Sequence, residues 1–253
     1  MRQEERLSLI LEELAASGSV GVAELARLLG VSTASIRRDL DLLERQRLLS
    51  RTHGGAVAGS MTYELPLRYR SERHRDEKRR IASAAAAGVD EHVLTVGLTG
   101  GTTTTEVARQ LVDRQGLTFV TNALNIAAEL AVRPNLKLVV TGGTARSESY
   151  ELVGPQAEAV LATMNLDVAF VGVDGLSARG GLTTHHDVEA HTNRVLVERA
   201  RRVVVVTDGS KVGKLAFARI CPIDAVGEVI TDASADAAEL ARIEDAGVVV
   251  TLV

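Results

Sequence analysis

The 253 residues contain no tryptophan, and only three Phe and three Tyr. The core must therefore be aliphatic, and recognition by stacked aromatic rings is not expected. A single cysteine, Cys221, excludes an internal disulfide and any cysteine-rich zinc module. Apolar runs are short and interrupted, so no transmembrane helix is expected. The opening segment to Gly18 carries charges inside its apolar pattern and does not read as a signal peptide. These absences predict a cytoplasmic protein in a reducing compartment. With 45% hydrophobic and 25% charged residues, the chain is globular, in one large domain or two smaller ones.

The net charge of −4 is unevenly spread. Residues 1–80 carry 15 Lys and Arg against 12 Asp and Glu; residues 81–253 carry 14 against 21. A mildly basic front and an acidic rear predict two parts with different partners.

In the front part, Leu7, Ile10, Leu11 and Leu14 fall on one face of a helix that Gly18 ends. Val22, Leu25, Ala26 and Leu29 form the apolar face of a second helix, closed by Gly30. Ser32 is a good N-cap for a third, from Thr33 to about Gln46, with Ile36, Leu40 and Leu43 facing inward. Residues 50–57 then suggest a hairpin closed at His53-Gly54-Gly55. Three helices with short turns followed by a hairpin describe a winged helix-turn-helix over residues 1–57. The outward face of the third helix carries Ala34, Arg38, Asp41 and Arg45, with Arg37 at its flank and Thr33 and Ser35 in its first turn. Small hydroxyls at a helix start fit phosphates and base edges, and Arg can bridge guanine O6 and N7. Arg51 and His53 continue the basic edge into the wing. The candidate DNA-binding set is Ser32, Thr33, Ser35, Arg37, Arg38, Arg45, Arg51 and His53. A merely solvated helix face is the competing interpretation; the order of helices, turn and wing favours DNA.

Residues 58–75 lack clear periodicity and read as a linker. A cationic segment, Arg73 to Arg80, runs into an alanine-rich helix. It is a solvated surface or an element coupling the two parts.

From residue 76 onward, seven runs rich in Val, Ile and Leu read as strands: 93–98, 117–121, 136–141, 167–173, 203–207, 228–231 and 248–253. Helical stretches intervene, including 105–112 and 188–200. Strands alternating with helices predict a larger α/β domain, residues 76–253, with a mainly parallel sheet covered on both faces. Ligands bind such sheets beyond the carboxyl ends of the strands. The candidate ends are Gly100, Gly101, Thr102, Thr103 and Thr104; Asn122; Gly142 and Gly143; Asp174; and Lys211, one of only four lysines. Free N–H groups and hydroxyls at a helix start can hold a phosphate. Hydroxyls, an amide, carboxylates and one lysine suit a phosphorylated polyhydroxy compound. His185, His186, Glu189 and His191 match no zinc spacing, so no metal and no cofactor are expected.

Leu25-Ala26, Gly30-Val31-Ser32, Ile36-Arg37-Arg38-Asp39-Leu40 and Arg51-Thr52-His53-Gly54-Gly55-Ala56 together resemble the DeoR family of bacterial transcriptional regulators, and the likeness extends over nearly the whole chain. Glu77-Lys78-Arg79-Arg80-Ile81-Ala82 is similar to the start of that family's sensor, and Gly180-Gly181-Leu182-Thr183-Thr184 resembles a motif near its effector site. The resemblance implies a winged helix-turn-helix head fused to a sugar-phosphate sensor similar in fold to ribose-5-phosphate isomerase. It also implies repression of sugar, polyol or nucleoside genes, relieved by a phosphorylated effector. One departure is that Thr99 stands where the family's first sensor loop commonly has Asp. The expected partners are operator DNA, a phosphorylated sugar or polyol, and further copies of the chain in a homodimer or larger even oligomer. A non-enzyme is expected. The alternative is an isomerase- or deaminase-type enzyme with an accessory head, for which Asp174 and Lys211 are present but no distinct base motif is found.

Overall fold

The computed structural model describes residues 1–58, 66–71 and 73–253. The chain divides into two compact units, Met1–Arg73 and His74–Val253.

The first unit runs α1 (Gln3–Ser17), β1 (Ser19–Gly21), α2 (Val22–Leu29), α3 (Thr33–Arg45), β2 (Leu49–Arg51), β3 (Gly55–Ala58) and α4 (Leu67–Arg70). Gly18 and Gly30 close α1 and α2 in the left-handed conformation. Leu7, Ile10, Leu25, Ile36, Leu40 and Leu43 meet in one aliphatic core. The wing is a three-stranded antiparallel sheet in the order β1-β3-β2; β1 is a strand that periodicity does not reveal, being only three residues long. Its pairing with β3 explains Gly55, because a Cβ there would lie 1.8 Å from the Val20 carbonyl oxygen. Part of the stretch read as a linker is built into this unit. Leu67 and Tyr69 of α4 are buried, Tyr69 within the head core, and the Tyr69 carbonyl accepts from Ser8 Oγ at 2.6 Å. Four residues are too short to show a helical period, which is why the pattern is silent there. Residues 59–65 and Glu72, also within the linker assignment, lie outside the described residues.

The second unit runs α5 (Arg75–Ala87), β4 (Thr95–Leu98), α6 (Thr102–Leu111), β5 (Thr118–Thr121), α7 (Leu124–Ala131), β6 (Lys137–Val140), β7 (Thr144–Ala145), β8 (Leu152–Val153), α8 (Pro155–Leu161), β9 (Leu166–Val171), β10 (Gly175–Ser177), β11 (Gly181–Thr184), α9 (Asp187–Glu198), β12 (Ala200–Val206), β13 (Ala218–Cys221), β14 (Glu228–Thr231), α10 (Ala237–Asp245) and β15 (Val249–Leu252). The seven anticipated strands form one sheet in the order β15-β14-β12-β9-β4-β5-β6, with every neighbouring pair parallel. Separate aliphatic cores form around Ile81, Val107 and Phe119 and around Leu161, Leu196 and Ile243, as helices covering both faces require. The β7–β8 hairpin and the antiparallel β10-β11-β13 sheet are additions that the apolar runs do not announce.

The chain builds outward from β4 through β5 to β6, then returns to the other side of β4 with β9. The order therefore switches between β4 and β9. A crevice opens at such a point beyond the strands' carboxyl ends, which is the usual ligand position in open α/β sheets. No helix among the described residues is long and apolar enough to cross a membrane.

Candidate functional site

On the first unit, α3 presents the anticipated surface. Ser32 is its N-cap: Ser32 Oγ accepts from the Ser35 N–H at 3.1 Å and lies 3.0 Å from Ser35 Oγ. Thr33, Arg37, Arg38, Arg45 and His53 are exposed. Arg38 leaves the core untouched and, among the described residues, donates to the Ala34 carbonyl within its own helix, at 3.3 Å. Arg51 is placed differently. It is half-buried, and its guanidinium is held by Asp41 and the Arg37 carbonyl, with its N–H on Glu44 Oε1 at 2.8 Å. It thus ties the wing to α3.

Asp39, between Arg38 and Leu40, faces the opposite way from its charged neighbours. It is 1% exposed and accepts from Arg6 Nε at 2.5 Å, Arg6 Nη2 at 3.1 Å and Gln3 Nε2 at 3.2 Å. The pair raises the Arg6 pKa, chiefly through the hydrogen bond to Asp39. Asp39 thereby fixes α3 against α1. It is the structural member of a motif whose arginines face solvent.

On the second unit, hydrogen bonds link Gly100 to Asn122 through Glu151 and Asn193 and link Lys211 to Asp174, whereas Gly142 and Gly143 follow the edge strand β6, and two corrections apply. The first concerns the Gly/Thr loop. Helix α6 begins at Thr102 rather than near Thr105, so Thr102, Thr103 and Thr104 form its first turn. Their N–H groups have no intrahelical acceptor, as in any helix start. Gly101 precedes them at φ 134°, and its carbonyl accepts from Thr104 Oγ1 at 2.9 Å and Thr105 Oγ1 at 2.6 Å. Two of the threonine hydroxyls are therefore turned inward.

The second correction concerns Gly100. Its N–H is not open to a ligand, because it donates to Glu151 Oε1 at 2.5 Å. A Cβ at Gly100 would stand 2.5 Å from that same oxygen, so glycine is what allows the carboxyl to approach. Thr99 does not take the place of an acid. It is fully buried, with its Oγ1 accepting from the Gly172 N–H at 3.0 Å, and it clasps β4 to β9.

The polar groups form two sets, one around Glu151 and one around Glu189. Asn193 Nδ2 lies 3.3 Å from both Glu151 oxygens, and Asn122 Nδ2 donates to Asn193 Oδ1 at 3.0 Å. Asn122 Oδ1 is buried with no protein partner. Arg146, on the β7–β8 hairpin, binds Glu189 of α9. The Thr184 hydroxyl sits between Glu189 Oε1 at 2.9 Å and Asp174 Oδ2 at 3.1 Å. Lys211 Nζ reaches Asp174 Oδ1 at 3.1 Å. Asp232 Oδ2, accepting from the Gly209 N–H at 2.7 Å, and Asp208 Oδ1, accepting from the Ser210 N–H at 3.2 Å, hold the loop that carries Lys211. Gly142 and Gly143 follow β6 on the exposed rim.

Sequence reasoning overlooked Glu151, Asn193 and Arg146, reached Thr184 only through the motif that resembles one near the family's effector site, and set Glu189 aside with the histidines. The structure disperses that histidine group. Glu189 points inward to Arg146, whereas His191 is exposed and faces Glu158 Oε2 at 3.5 Å. Among the described residues no group of three or more His, Cys, Asp or Glu is arranged to hold a metal ion.

Fold and site together define a two-part protein, a winged helix-turn-helix unit followed by an α/β unit with polar groups clustered beyond the carboxyl ends of its central strands. The DeoR-like helix-turn-helix domain profile matches residues 6–62, and the DeoR C terminal sensor domain profile matches residues 73–233. The chain belongs to the DeoR family. It is 35% identical to a putative aga operon transcriptional repressor of Escherichia coli O157:H7, covering 98% of this chain and 93% of that protein. It is 38% identical to the HTH-type transcriptional regulator GlpR of Haloferax volcanii, over 97% and 96% of the two chains. It is 34% identical to the glycerol-3-phosphate regulon repressor of Escherichia coli K12, over 92% of each. Among solved structures, ribose 5-phosphate isomerase A of Methanocaldococcus jannaschii aligns with a TM-score of 0.41 at 20% identity, over 55% of each chain.

Proposed function

We propose that the protein is a transcriptional repressor of carbohydrate or polyol genes, whose grip on operator DNA is relieved by a phosphorylated sugar or polyol. The observation that carries this reading is the pairing of an outward basic α3 face with a polar crevice at the switch point of the parallel sheet. Relatives named as repressors of the aga operon and the glycerol-3-phosphate regulon support it.

In this reading α3 enters the major groove. Arg37, Arg38 and Arg45 reach bases or phosphates, and Ser32, Thr33, Ser35, Arg51 and His53 hold the backbone. The effector's phosphate sits at the start of α6, over the N–H groups of Thr102–Thr104, with Lys211 as its cation. Its hydroxyls face Asp174, Asn122 and the Gly142-Gly143 rim. The head comprises Met1–Arg73 and the sensor His74–Val253. The protein acts in the cytoplasm as a homodimer or larger even oligomer, because one winged helix reads only a short half-site. It is a sensor rather than an enzyme: Lys211 and Asp174 are bound to each other, and the crevice offers an effector contacts rather than a free base.

The test is a thermal-shift screen of the full chain against phosphorylated sugars and polyols, glycerol 3-phosphate among them. A stabilising compound is then added to the protein bound to a duplex selected from random sequence, with release followed by fluorescence anisotropy. A ligand at one hundred times its dissociation constant stabilises the native state by about 2.7 kcal/mol, a shift that such a screen detects. Failure to select any duplex overturns the DNA reading. A compound that binds without altering DNA affinity overturns the switch.

A further inference from the structure

Two side-chain amides where β5 leads into α7 each keep one buried atom unused. Asn122 follows β5 and is fully buried; Asn125 lies in the first turn of α7. Among the described residues nothing donates to Asn122 Oδ1 or to Asn125 Oδ1. Which atom of an amide is left over depends on what holds the other. Both amides are held by chains of hydrogen bonds that begin on the backbone of Gly100 and Gly101. A backbone N–H only donates and a backbone carbonyl only accepts, so each chain has one direction.

The first chain begins at the Gly100 N–H, which donates to Glu151 Oε1 at 2.5 Å. Oε1 is therefore an acceptor whatever the charge on the carboxyl. The Asn193 amide faces it with Nδ2, 3.3 Å from each Glu151 oxygen. That turns Asn193 Oδ1 toward Asn122, whose Nδ2 donates to it at 3.0 Å. Asn122 Oδ1 is what remains. The second chain begins at the Gly101 carbonyl, which takes the one hydroxyl proton of Thr105 at 2.6 Å. Thr105 Oγ1 is left as an acceptor, and Asn125 Nδ2 donates to it at 2.8 Å. Asn125 Oδ1 remains.

We propose that the junction of β5 and α7 is a hydroxyl-recognising subsite, at which Asn122 and Asn125 present amide oxygens and Glu151 and Asn193 are the positioning residues that fix Asn122. It takes a ligand group that donates a hydrogen bond, an alcohol, and discriminates against a carbonyl or carboxylate oxygen in the same place. A buried acceptor without a partner carries a desolvation penalty, which a donating ligand removes and an accepting ligand does not. Buried polar groups of this kind reject an analogue without the matching hydroxyl far more strongly than an apolar pocket does. The N–H groups at the start of α6 then suit the anionic end of a phosphorylated polyol, and the amide oxygens its alcohol end. This assignment rests on the effector reading above; the direction of the two chains does not.

Neutron diffraction from deuterium-exchanged crystals of the unliganded full chain reads the direction. Deuterium on Asn122 and Asn125 should sit on the atoms that face Asn193 and Thr105. Deuterium on the free atom of Asn122 overturns the proposal. The ligand half is read by calorimetry with pairs that differ only in an alcohol against a carbonyl: glycerol 3-phosphate against dihydroxyacetone phosphate, and ribitol 5-phosphate against ribulose 5-phosphate. Any phosphorylated polyol found by the wider thermal-shift screen joins the series beside its keto counterpart. In a pair that binds, the alcohol should bind about tenfold tighter or more. Asn193→Ala frees Asn122 to turn over, and should narrow that ratio by tightening the carbonyl member, a gain that loss of structure does not produce. If the variant does not fold, the wild-type ratios decide. Equal affinities within the pairs, or tighter binding of the carbonyl members, overturn the subsite and leave the effector reading standing. Binding of no phosphorylated compound defeats the effector reading and the ligand half with it, while the direction of the amides stands.

Discussion

The two units treat buried charge in opposite ways. In the head, Asp39 is matched by Arg6 and Gln3, and every bond it makes joins α3 to α1. The cations left over, Arg37, Arg38 and Arg45, are outside and uncommitted to the core. In the sensor, among the described residues, Arg146 meets both Glu148 and Glu189, and Lys211 meets Asp174. A surface meant for a polyanion needs exposed cations on a rigid frame, and the Asp39 pair supplies part of that frame. A pocket that must respond to a small molecule has to leave some polar groups incompletely matched. Asn122 Oδ1 is one such group.

The sharpest way to break this contrast is to unpair the head. Asp39→Ala strands the Arg6 guanidinium, whose side chain is only 13% exposed. Breaking one partner of a buried pair costs about 3–5 kcal/mol. Hydrogen exchange on the full chain should show the α1 and α3 amides losing protection while β4, β9 and β12 keep theirs. Unchanged protection of α1 would mean that the pair does not hold the head together.

A smaller effect is expected in the crevice. Lys211→Ala should cost effector affinity about 1.5–3 kcal/mol, the range for a charge-assisted hydrogen bond. Operator binding should persist, and release by effector should fail. Calorimetry and anisotropy on the same variant check both. If affinity and release match the wild type, the phosphate lies elsewhere. On the head's outer face, Arg38→Ala should weaken operator binding by about 1–3 kcal/mol with unfolding unchanged, since Arg38 supports nothing inside. A wild-type titration would remove Arg38 from the reading face.

These contrasts were unevenly legible in the sequence. The seven sheet strands are apolar runs because both faces are covered, and each was placed to within a few residues. The α3 frame showed in Ile36, Leu40 and Leu43 and in the cap Ser32. What stayed hidden depends on contacts between distant segments. Asp39 sits beside two arginines in the chain but pairs with Arg6. Glu151 meets Gly100 and Asn193 only once the β7–β8 hairpin has folded over the crevice. The hairpin itself is too short to show a period of two, and no local pattern marks an acid whose partners lie more than forty residues away.

The smallest effect separates the two ends of the sensor sheet. At the amino end of β9, Asp167 Oδ2 accepts from the Leu94 N–H at 3.0 Å, the Thr95 N–H at 3.0 Å and Thr95 Oγ1 at 2.8 Å. These bonds favour the charged form and hold the Asp167 pKa below its ordinary value, the Leu94 N–H contributing most. A carboxyl whose folded pKa is depressed adds stability above its unfolded pKa, roughly 3.9, and that stability disappears as pH falls through the folded value. Glu151, at the carboxyl end, has the opposite sign: its raised folded pKa gives stability present in acid and lost as pH rises. Acidification below about pH 4 should therefore loosen the sheet at the Asp167 end first. Asp167→Asn keeps one acceptor oxygen and removes the charge. It should lower stability at neutral pH by about 1 kcal/mol and flatten the acid limb of a urea-midpoint profile between about pH 5 and pH 3. Glu151→Gln should instead remove a fall in stability that begins near the unfolded glutamate pKa, roughly 4.3, and continues as pH rises. An acid limb equally steep in Asp167→Asn would show that other carboxylates govern acid unfolding, and would remove the distinction between the two ends of the sheet.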